Sequence, residues 1–172
     1  GTLLWVLDKT KTSMGKRRMR ATIEKPLIDA TAINKRLNAV SELVNNSILL
    51  SDIRDSLAGI FDLERLITRI VYGNVTPREL KSLQFTAEKL PALKQLLVEC
   101  SSVYLKEIYS EIDGLEDVCE LIRNAIIDEP PALARDGGMI KEGYNNRLDE
   151  YNLIVHNTKA VLARIEAEEN RH

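Results

Sequence analysis

The 172-residue sequence is poor in aromatic residues, with Phe, Trp and Tyr together making up 5% of the chain. Hydrophobic residues nevertheless make up 44% and charged residues 29%. A chain dominated by Leu, Ile, Ala, Glu, Lys and Arg favours helices over sheets, because straight-chain side chains lose little rotamer freedom in a helix. The composition therefore predicts an all-α protein of the ordinary soluble kind.

Other shortages exclude whole classes of protein. Cys100 and Cys119 are the only cysteines, too few for a disulfide framework, and they indicate a reduced, cytoplasmic protein. No apolar run approaches the roughly 18–20 residues that span a bilayer, so we expect no membrane partner. A net charge of −2 argues against nucleic-acid binding over the whole surface, but it leaves a local basic patch open.

Local signals mark where helices begin. Thr12 precedes a basic segment that runs to Pro26, and a threonine in this position is typical of an N-cap. Thr76 is followed by Pro77 and Glu79, which predicts a capping box with proline at the first helical position. We expect helices over most of the chain up to about residue 126, with a break or kink at Pro91.

One predicted helix carries a continuous apolar face. Asp29 is a suitable N-cap for it. The apolar residues that fall on that face are Ile33, Leu37, Val40, Leu43 and Val44. Their spacing of three and four residues is typical of an amphipathic helix.

The helical pattern stops near residues 128–146 and then resumes. Two adjacent prolines and the Gly137-Gly138 pair predict an irregular or hairpin stretch there. The positions that follow at spacings of 3, 4, 3, 4 and 3 are Leu148, Tyr151, Val155, Thr158, Leu162 and Ile165. This is the period of a coiled-coil seam, so we expect a projecting arm helix over 147–172, roughly 35 Å long. No partner helix follows it, which suggests a fragment of a longer chain.

The sequence contains no arrangement typical of an active site. Gly15-Lys16 resembles the end of a phosphate-binding loop, but position 10 is Thr and Lys16 is followed by Arg17 rather than Ser or Thr. His156 has no further ligand at metal-binding spacing, and Cys100 has no histidine near it. We therefore predict no catalytic residue, no bound cofactor and no metal ligand in this chain.

The sharpest charge asymmetry is a basic cluster near the N-terminus. Its members are Lys9, Lys11, Lys16, Arg17, Arg18 and Arg20. Such a cluster can contact phosphates, but no aromatic residue lies among these cations to stack on bases. A solvated helix face, partly paired with acidic neighbours such as Glu24, is the favoured interpretation.

Three blocks of the sequence resemble a known family. TLLWVLDKTKTSMGKRRMRATIEKPL closely resembles the opening of the core domain of the MutS family, the DNA mismatch-repair ATPases. The matching positions in this block are Leu7, Asp8, Thr12, Met14, Gly15, Arg17, Arg20, Pro26 and Leu27. In FDLERLITRIVYGNVTPREL they are Asp62, Leu63, Glu64, Arg65, Thr76, Pro77 and Arg78. In DEPPALARDGGMIKEGYNNRLDEYN they are Gly138, Ile140, Glu142, Gly143, Tyr144, Leu148 and Asp149.

The resemblance implies an architecture. The family's helical core, or lever domain, lies between an ATPase domain and two long helical arms that carry a DNA clamp. Residues 1–146 would form most of this core bundle, and residues 147–172 the start of the outgoing arm. The returning arm helix, the clamp, the mismatch-reading domain and the ATPase domain would all lie outside this chain.

The resemblance also implies partners and roles. The full-length protein would bind ATP and magnesium, act on mismatched double-stranded DNA through other domains, form a homodimer and work in the bacterial cytoplasm at the nucleoid. The matching residues are expected to be structural rather than catalytic. Thr12 would be a helix cap, Gly15 would allow close approach of helices, and Gly138 and Gly143 would allow backbone turns.

The function implied for this chain is mechanical coupling of the nucleotide state to the DNA clamp, with no ATPase activity of its own. Two alternatives stay open. One is a free-standing helical adaptor whose exposed seam over residues 148–165 binds a partner helix. The other is the core of a family paralogue without mismatch recognition. An unrelated helical enzyme has little support, because no acid–base or nucleophile pair is visible.

Overall fold

The protein is described by a computed structural model over residues 2–169, with side chains described through residue 158. Across that part the chain is helical, and its only β-type pairing is one isolated bridge. The helices are α1 Leu3–Leu7, α2 Ser13–Glu24, α3 Ala30–Asn45, α4 Ser47–Leu57, α5 Leu63–Val71, α6 Pro77–Leu96, α7 Val103–Glu111, α8 Glu116–Ala125 and α9 Asn146–Glu169. The predicted all-α fold is confirmed, and none of these helices is long and apolar enough to cross a membrane.

The predicted helix starts are confirmed. Thr12 caps α2, because its hydroxyl oxygen accepts a hydrogen bond from the Gly15 N–H at 3.0 Å. At the start of α6 the Thr76 N–H donates to Glu79 Oε2 at 2.9 Å, and the Glu79 N–H donates back to Thr76 Oγ1 at 3.3 Å. Pro77 occupies the first turn of α6 and is fully buried. Each cap satisfies backbone donors that have no partner within the helix.

Of the predicted break or kink at Pro91, the break is wrong, and the kink stays a prediction. Helix α6 continues through Pro91 to Leu96. A proline removes one backbone hydrogen bond and crowds the preceding turn. Helix α6 packs against α4, α5 and α8, and tertiary packing of this kind commonly outweighs local preference.

Two apolar clusters form the interior. The first, here called the arm-side cluster, joins α5, α6 and α8 and consists of Leu66, Leu83, Ile122, Ala125 and Ile126, with Ile140 packed against it. The second, here called the groove-side cluster, joins α3 to α7 and to the turn after α6, and consists of Ala39, Leu97, Cys100 and Leu105. Because α6 runs between them, it forms the spine of the bundle.

The expected irregular stretch near 128–146 is a short antiparallel crossing. The Ile127 N–H donates to the Met139 carbonyl at 3.0 Å, and the Lys141 N–H donates to the Ala125 carbonyl at 2.8 Å. These bonds tie the segment that leads into α9 to the end of α8. Helix α9 then leaves the body, since residues 150–158 are all exposed. The seam positions Leu162 and Ile165 lie outside the described side chains.

Candidate functional site

Some residues from each of the three matching blocks lie at two junctions between helices. One junction, here called the α2 latch, joins α2 to the start of α5 and consists of Ser13, Arg17, Asp62 and Glu64. The other, here called the arm joint, connects the crossing segment to α9 and comprises residues 143–149. The two junctions lie at the beginning and the end of the helical body along the chain.

The α2 latch is built around a two-pronged ion pair. Arg17 Nη1 donates to Asp62 Oδ2 at 2.6 Å, and Arg17 Nη2 donates to Asp62 Oδ1 at 2.7 Å. Arg17 Nε also donates to Glu64 Oε2 at 3.1 Å, and the Ser13 hydroxyl donates to Asp62 Oδ2 at 3.1 Å. A planar guanidinium suits this geometry, because it can meet both oxygens of one carboxylate at once.

Asp62 has a second structural role. Its Oδ1 accepts a hydrogen bond from the Arg65 N–H at 3.2 Å, and it thereby caps α5. The Arg17 guanidinium, with help from the Arg65 N–H and the Ser13 hydroxyl, holds the pKa of Asp62 well below its usual range, although partial burial acts in the opposite direction. Hydrogen bonds to Asp62 and then Glu64 raise the pKa of Arg17. The same carboxylate therefore fixes one helix start and anchors another helix.

The latch matters because the other side chains that hold α2, among them Met14, Met19 and Ile23, are only half-buried. No α2 side chain is buried, and the Arg17 side chain itself is 49% exposed. Exposed ion pairs are weak and are screened by salt. Helix α2 is consequently attached by contacts that solvent and neighbouring charges can modulate.

Gly15 has a different close neighbour from the expected one. A Cβ at this position would lie 3.0 Å from Thr12 Oγ1 and 3.3 Å from Thr10 Cβ. The close approach is therefore to the loop that precedes α2, and not to another helix. A side chain at this position would crowd the hydroxyl that caps α2.

The other matched positions near α5 and α6 are structural. Leu63 is half-buried and packs against the arm-side cluster. The Arg65 side chain is exposed, and only its backbone N–H takes part in the latch region. Thr76 and Pro77 form the start of α6 described above, so α5 and α6 are both positioned by capping residues.

The arm joint is held by hydrogen bonds across its turn. The Gly143 N–H donates to Asp149 Oδ2 at 2.9 Å, and the Leu148 N–H donates to Asn145 Oδ1 at 3.1 Å. Gly143 has a φ of +82°, a conformation that side-chain-bearing residues rarely adopt. The first turn of α9 is thus bonded back to the segment that precedes it.

The remaining matched positions of the third block differ among themselves. Gly138 has a φ of +69° and forms part of the turn expected there. The Glu142 and Tyr144 side chains are exposed, and within the described residues neither forms a hydrogen bond or an ion pair. Asn145 was not among the expected residues, although an asparagine ahead of a helix is a recognised capping signal.

A third junction was missed from the sequence. The Glu42 carboxylate of α3 accepts hydrogen bonds from the Ser101 N–H at 2.6 Å and the Ser102 N–H at 2.8 Å. The side chain of Ser102, the N-cap residue of α7, makes no capping hydrogen bond. The Glu42 carboxylate instead satisfies the backbone N–H of Ser102 at the start of this helix. The Ser101 N–H, with the other donors of these two serines, lowers the pKa of Glu42 to about 2. No local signal marks a cap supplied from 59 residues away.

Half of the basic cluster is paired with acidic neighbours. Arg17 is engaged in the latch, the Lys16 ammonium lies 3.8 Å from Asp8, and the Arg20 guanidinium lies 4.0 Å from Glu24. These contacts agree with a solvated, partly paired helix face.

The described residues offer few groups for chemistry. No cluster of three His, Cys, Asp or Glu side chains in that part of the chain is placed to hold a metal ion. Cys100 and Cys119 are buried and unpaired with each other, and burial raises the pKa of both thiols. A raised thiol pKa lowers the fraction of reactive thiolate.

Comparison with known proteins gives matches that cover nearly the whole chain. The family model described as MutS domain III matches residues 1–171. The chain is 45% identical over 172 residues to the DNA mismatch repair protein MutS of Alkaliphilus oremlandii, covering 99% of this chain and 20% of that protein. It is 42% identical over 169 residues to the protein of the same name from Clostridium tetani, covering 98% of this chain and 19% of the relative.

A third relative gives the same result. The DNA mismatch repair protein MutS of Desulforamulus reducens is 42% identical over 172 residues, covering 100% of this chain and 20% of that protein. The chain therefore spans about a fifth of the length of the curated relatives it matches. The family match over nearly the whole chain, together with helix caps and turns at the motif positions, shows that this chain belongs to the MutS domain III family.

Proposed function

We propose that this chain is the core segment of a DNA mismatch-repair ATPase and that it couples the nucleotide state to the position of a DNA clamp. In this proposal residues 1–146 are the core and residues 147–172 are the start of the arm that leads to the clamp. The single observation that carries it is that residues from all three matching blocks take part in the α2 latch or the arm joint. Residues that join helices are the residues a coupling element needs.

A continuous set of contacts supports transmission between the two junctions. The latch binds α2 to the start of α5, and α5 packs on α6 within the arm-side cluster. Helix α6 is joined to α8 by packing and by an ion pair of 2.7 Å between Arg123 and Glu88. Lys81 of α6 also donates to Asp128 at 3.3 Å, at the beginning of the crossing segment.

Packed helices suit this role because a close-packed interior deforms little and passes displacement on as rigid-body movement. Coupling is then a free energy shared between two distant sites, each of which favours one arrangement of the bundle. In the proposal both sites belong to other parts of the longer protein. ATP and magnesium bind in an ATPase domain, and mismatched DNA meets the mismatch-reading and clamp domains of a homodimer in the bacterial cytoplasm.

The relatives support this assignment through their names and their length. They are DNA mismatch repair proteins, of which this chain spans about a fifth. The present chain contributes no acid–base pair or metal cluster within the described residues. We therefore assign it transmission, and we assign ATP hydrolysis to the ATPase domain.

The free-standing adaptor has one observation in its favour. Tyr151 and Val155 of the predicted seam are 52% and 50% exposed, and an uncovered apolar seam can bind a partner helix. The sequence of the surrounding gene separates the two functions. A Phe-x-Glu motif upstream and a GxxxxGK[ST] motif downstream favour the repair ATPase, a missing upstream motif favours the paralogue, and stop codons at both ends favour the adaptor.

The coupling proposal is tested in the full-length protein by thermodynamic linkage. The affinity for mismatched duplex DNA is measured with and without a non-hydrolysable ATP analogue, in the wild type and in Arg17→Met. We expect the analogue to change the wild-type DNA affinity by about five-fold or more, which is the lower end of typical allosteric coupling. In Arg17→Met the ratio of the DNA affinity with the analogue to the DNA affinity without it should move toward one.

The matched control is Lys11→Met, which removes a cation of the same cluster outside the latch. The affinity for DNA measured without the analogue, and the affinity for the analogue measured without DNA, should stay close to wild type in both variants. An unchanged ratio in Arg17→Met would show that the latch does not take part in the coupling. A wild-type ratio of one would contradict the coupling function itself.

A further inference from the structure

Helix α3 has an apolar face that the described residues leave open. Leu37, Val40 and Val44 are 56%, 55% and 64% exposed, whereas the fully buried residue of this helix is the smaller Ala39. Helices α4 and α7 pack against α3 elsewhere on its surface. The amphipathic pattern of α3 therefore provides more apolar surface than this part of the fold covers.

Beside that face lies a groove of about 500 Å³ between α2, α3 and α7. Its apolar lining consists of Met19, Ala39, Val40, Leu43, Leu105 and Ile108. The groove is open along its length and lacks the convergent buried polar groups that orient a small ligand in a pocket. A floor formed by several helices and aligned with an apolar stripe fits the apolar face of another helix.

The rim of the groove is positively charged. Arg18 and Arg36 both line it, and within the described residues neither forms a side-chain hydrogen bond or an ion pair. Their sequence neighbours behave differently, because Arg17 binds Asp62 and Lys35 pairs with Glu107. Two unmatched guanidinium groups beside an apolar floor complement a helix that has carboxylates along the edge of its apolar face.

We propose that this groove, here called the α2–α3–α7 groove, binds an acidic amphipathic helix supplied by a region of the same polypeptide outside these 172 residues. This proposal depends on the proposed function, in which the chain is one part of a longer repair protein. The length of the relatives supports that source, since about four-fifths of their sequence lies outside the region that this chain matches. A permanently open apolar face would otherwise promote association.

A helix bound in the groove would also connect the α2 latch with the groove-side cluster. Helix α2 forms one wall of the groove and is attached through exposed ion pairs rather than through buried side chains. A helix lying in the groove contacts α2 and α3 at once. Displacement of that helix is therefore passed to the latch and to the groove-side cluster together.

The test is site-specific photo-crosslinking in the full-length protein. The photoreactive residue p-benzoylphenylalanine replaces Val40 in the groove, and the linked peptides are identified by mass spectrometry. Val40 is more than half exposed in the chain described here, so the replacement does not disturb the core. We expect the main product to link residue 40 to a helical segment of the same polypeptide that is apolar on one face and carries Asp or Glu beside it.

Isotope mixing identifies the source of the linked peptide. When ¹⁵N-labelled and unlabelled protein are mixed before irradiation, a link within one polypeptide joins peptides of the same label only. Products of mixed label would identify a second copy as the occupant, and links to another protein would identify a separate partner. Either result overturns the proposal, as does the absence of any linked segment from outside residues 1–172.

A charge reversal tests the acidic character of the occupant. Arg18→Glu in the residue-40 crosslinking background should lower the yield of the product by about five-fold, the effect of losing roughly 1 kcal/mol. Lys106→Glu on the exposed surface of α7 is the matched control and should leave the yield unchanged. Equal yields in both variants would show that carboxylates do not contribute.

The outcome is independent of the coupling measurement. If the crosslink identifies a helix of the same polypeptide but the DNA-affinity ratio is unchanged in Arg17→Met, the docking site is supported and the role of the latch in coupling is rejected. A changed ratio without the crosslink retains the coupling function and rejects the docking site.

Discussion

The arm side and the α2 side of the body are held by different kinds of interaction. On the arm side, five buried residues join α5, α6 and α8, and backbone hydrogen bonds tie the crossing segment to the end of α8. On the α2 side, no side chain of α2 is buried, and the attachment is an ion-pair latch beside an open apolar groove. The buried apolar contacts of the arm side resist opening to water. The α2 side responds to nearby charge and to occupancy of the groove.

The difference indicates which end of the body is adjustable. Burial of aliphatic side chains is not weakened by electrostatic screening, and truncation of a buried side chain leaves a cavity. Exposed ion pairs are individually weak and are screened within about 8–10 Å at ordinary ionic strength. We therefore expect the arm side to open only in global unfolding, and the α2 side to open locally at lower free energy.

The largest expected effect comes from the arm-side cluster. Ile122→Ala should lower the free energy of unfolding by about 2–5 kcal/mol, because it removes three carbon atoms from a site that is 6% exposed. Urea denaturation followed by circular dichroism measures the loss. Ile48→Ala, at a position that is 75% exposed, is the control and should change stability by about 0.5 kcal/mol or less. Similar losses in both variants would contradict the assignment of the core.

The next effect separates the latch from an ordinary helix cap. Asp62→Ala should lower the free energy of unfolding by about 1–2 kcal/mol through loss of the α5 cap. It should also speed amide hydrogen exchange in α2, since Arg17 loses its main partner. Asp29→Ala is a matched control, because Asp29 caps α3 and takes no part in the latch.

Both variants should therefore lose stability, and only Asp62→Ala should increase exchange across α2. Hydrogen exchange with mass spectrometry makes the comparison peptide by peptide. Equal exchange in α2 of the two variants would show that the latch does not hold this helix.

A smaller effect appears in acid. The pKa of Glu42 is depressed from 4.5 to about 2 in the folded chain, so the unfolded chain binds more protons between these values. Its stabilising contribution is therefore fully present above pH 4.5 and is lost as the pH falls toward 2. Glu42→Gln should cost about 1 kcal/mol at pH 7, as for the loss of a cap.

The measurement is the difference in unfolding free energy between wild type and Glu42→Gln as a function of pH. That difference should shrink steadily below pH 4.5 and be reduced to a small remainder by about pH 2. Glu24→Gln, which changes an exposed carboxylate near the end of α2, serves as the control. A difference that stays constant down to pH 2 would contradict the capping role of Glu42.

The smallest effect is the salt response of the latch. Arg17→Met should speed hydrogen exchange in α2 at low ionic strength, and the difference from wild type should narrow near 1 M salt, where the screening length is about 3 Å. Arg20→Met removes a cation that lies 4.0 Å from its partner and should produce no comparable change. A difference independent of salt would mean that Arg17 acts through packing of its aliphatic stem.

Local features of this fold were predictable from sequence, and distant ones were not. Thr12 and Thr76 cap helices through donors three residues away, so spacing along the chain is sufficient to find them. Glu42 caps α7 from 59 residues away, and Arg17 meets Asp62 from 45 residues away. Neither contact follows from spacing, because each depends on how whole helices pack.

The incorrect prediction of a break at Pro91 has the same origin. Pro91 carries a strong local signal to break a helix, and the packing of α6 against α4, α5 and α8 outweighs it. The nearest neighbours of Gly15 belong to the loop that precedes α2, and the path of that loop does not follow from spacing either. The family resemblance located the matching blocks of the chain, but it did not indicate that residues in them form an ion-pair latch at one end and a hydrogen-bonded turn at the other.

The most direct test of the central claim, that this chain transmits rather than reads DNA, is a fluorescence-anisotropy titration of the chain with matched and mismatched duplexes. The titration is run at low and at physiological salt. We predict binding that is weak or absent, disappears as salt rises and is equal for the two duplexes, since half of the basic cluster is already paired with carboxylates. Tight binding at physiological salt with a preference for the mismatched duplex would contradict it, and would assign recognition of DNA to this chain itself.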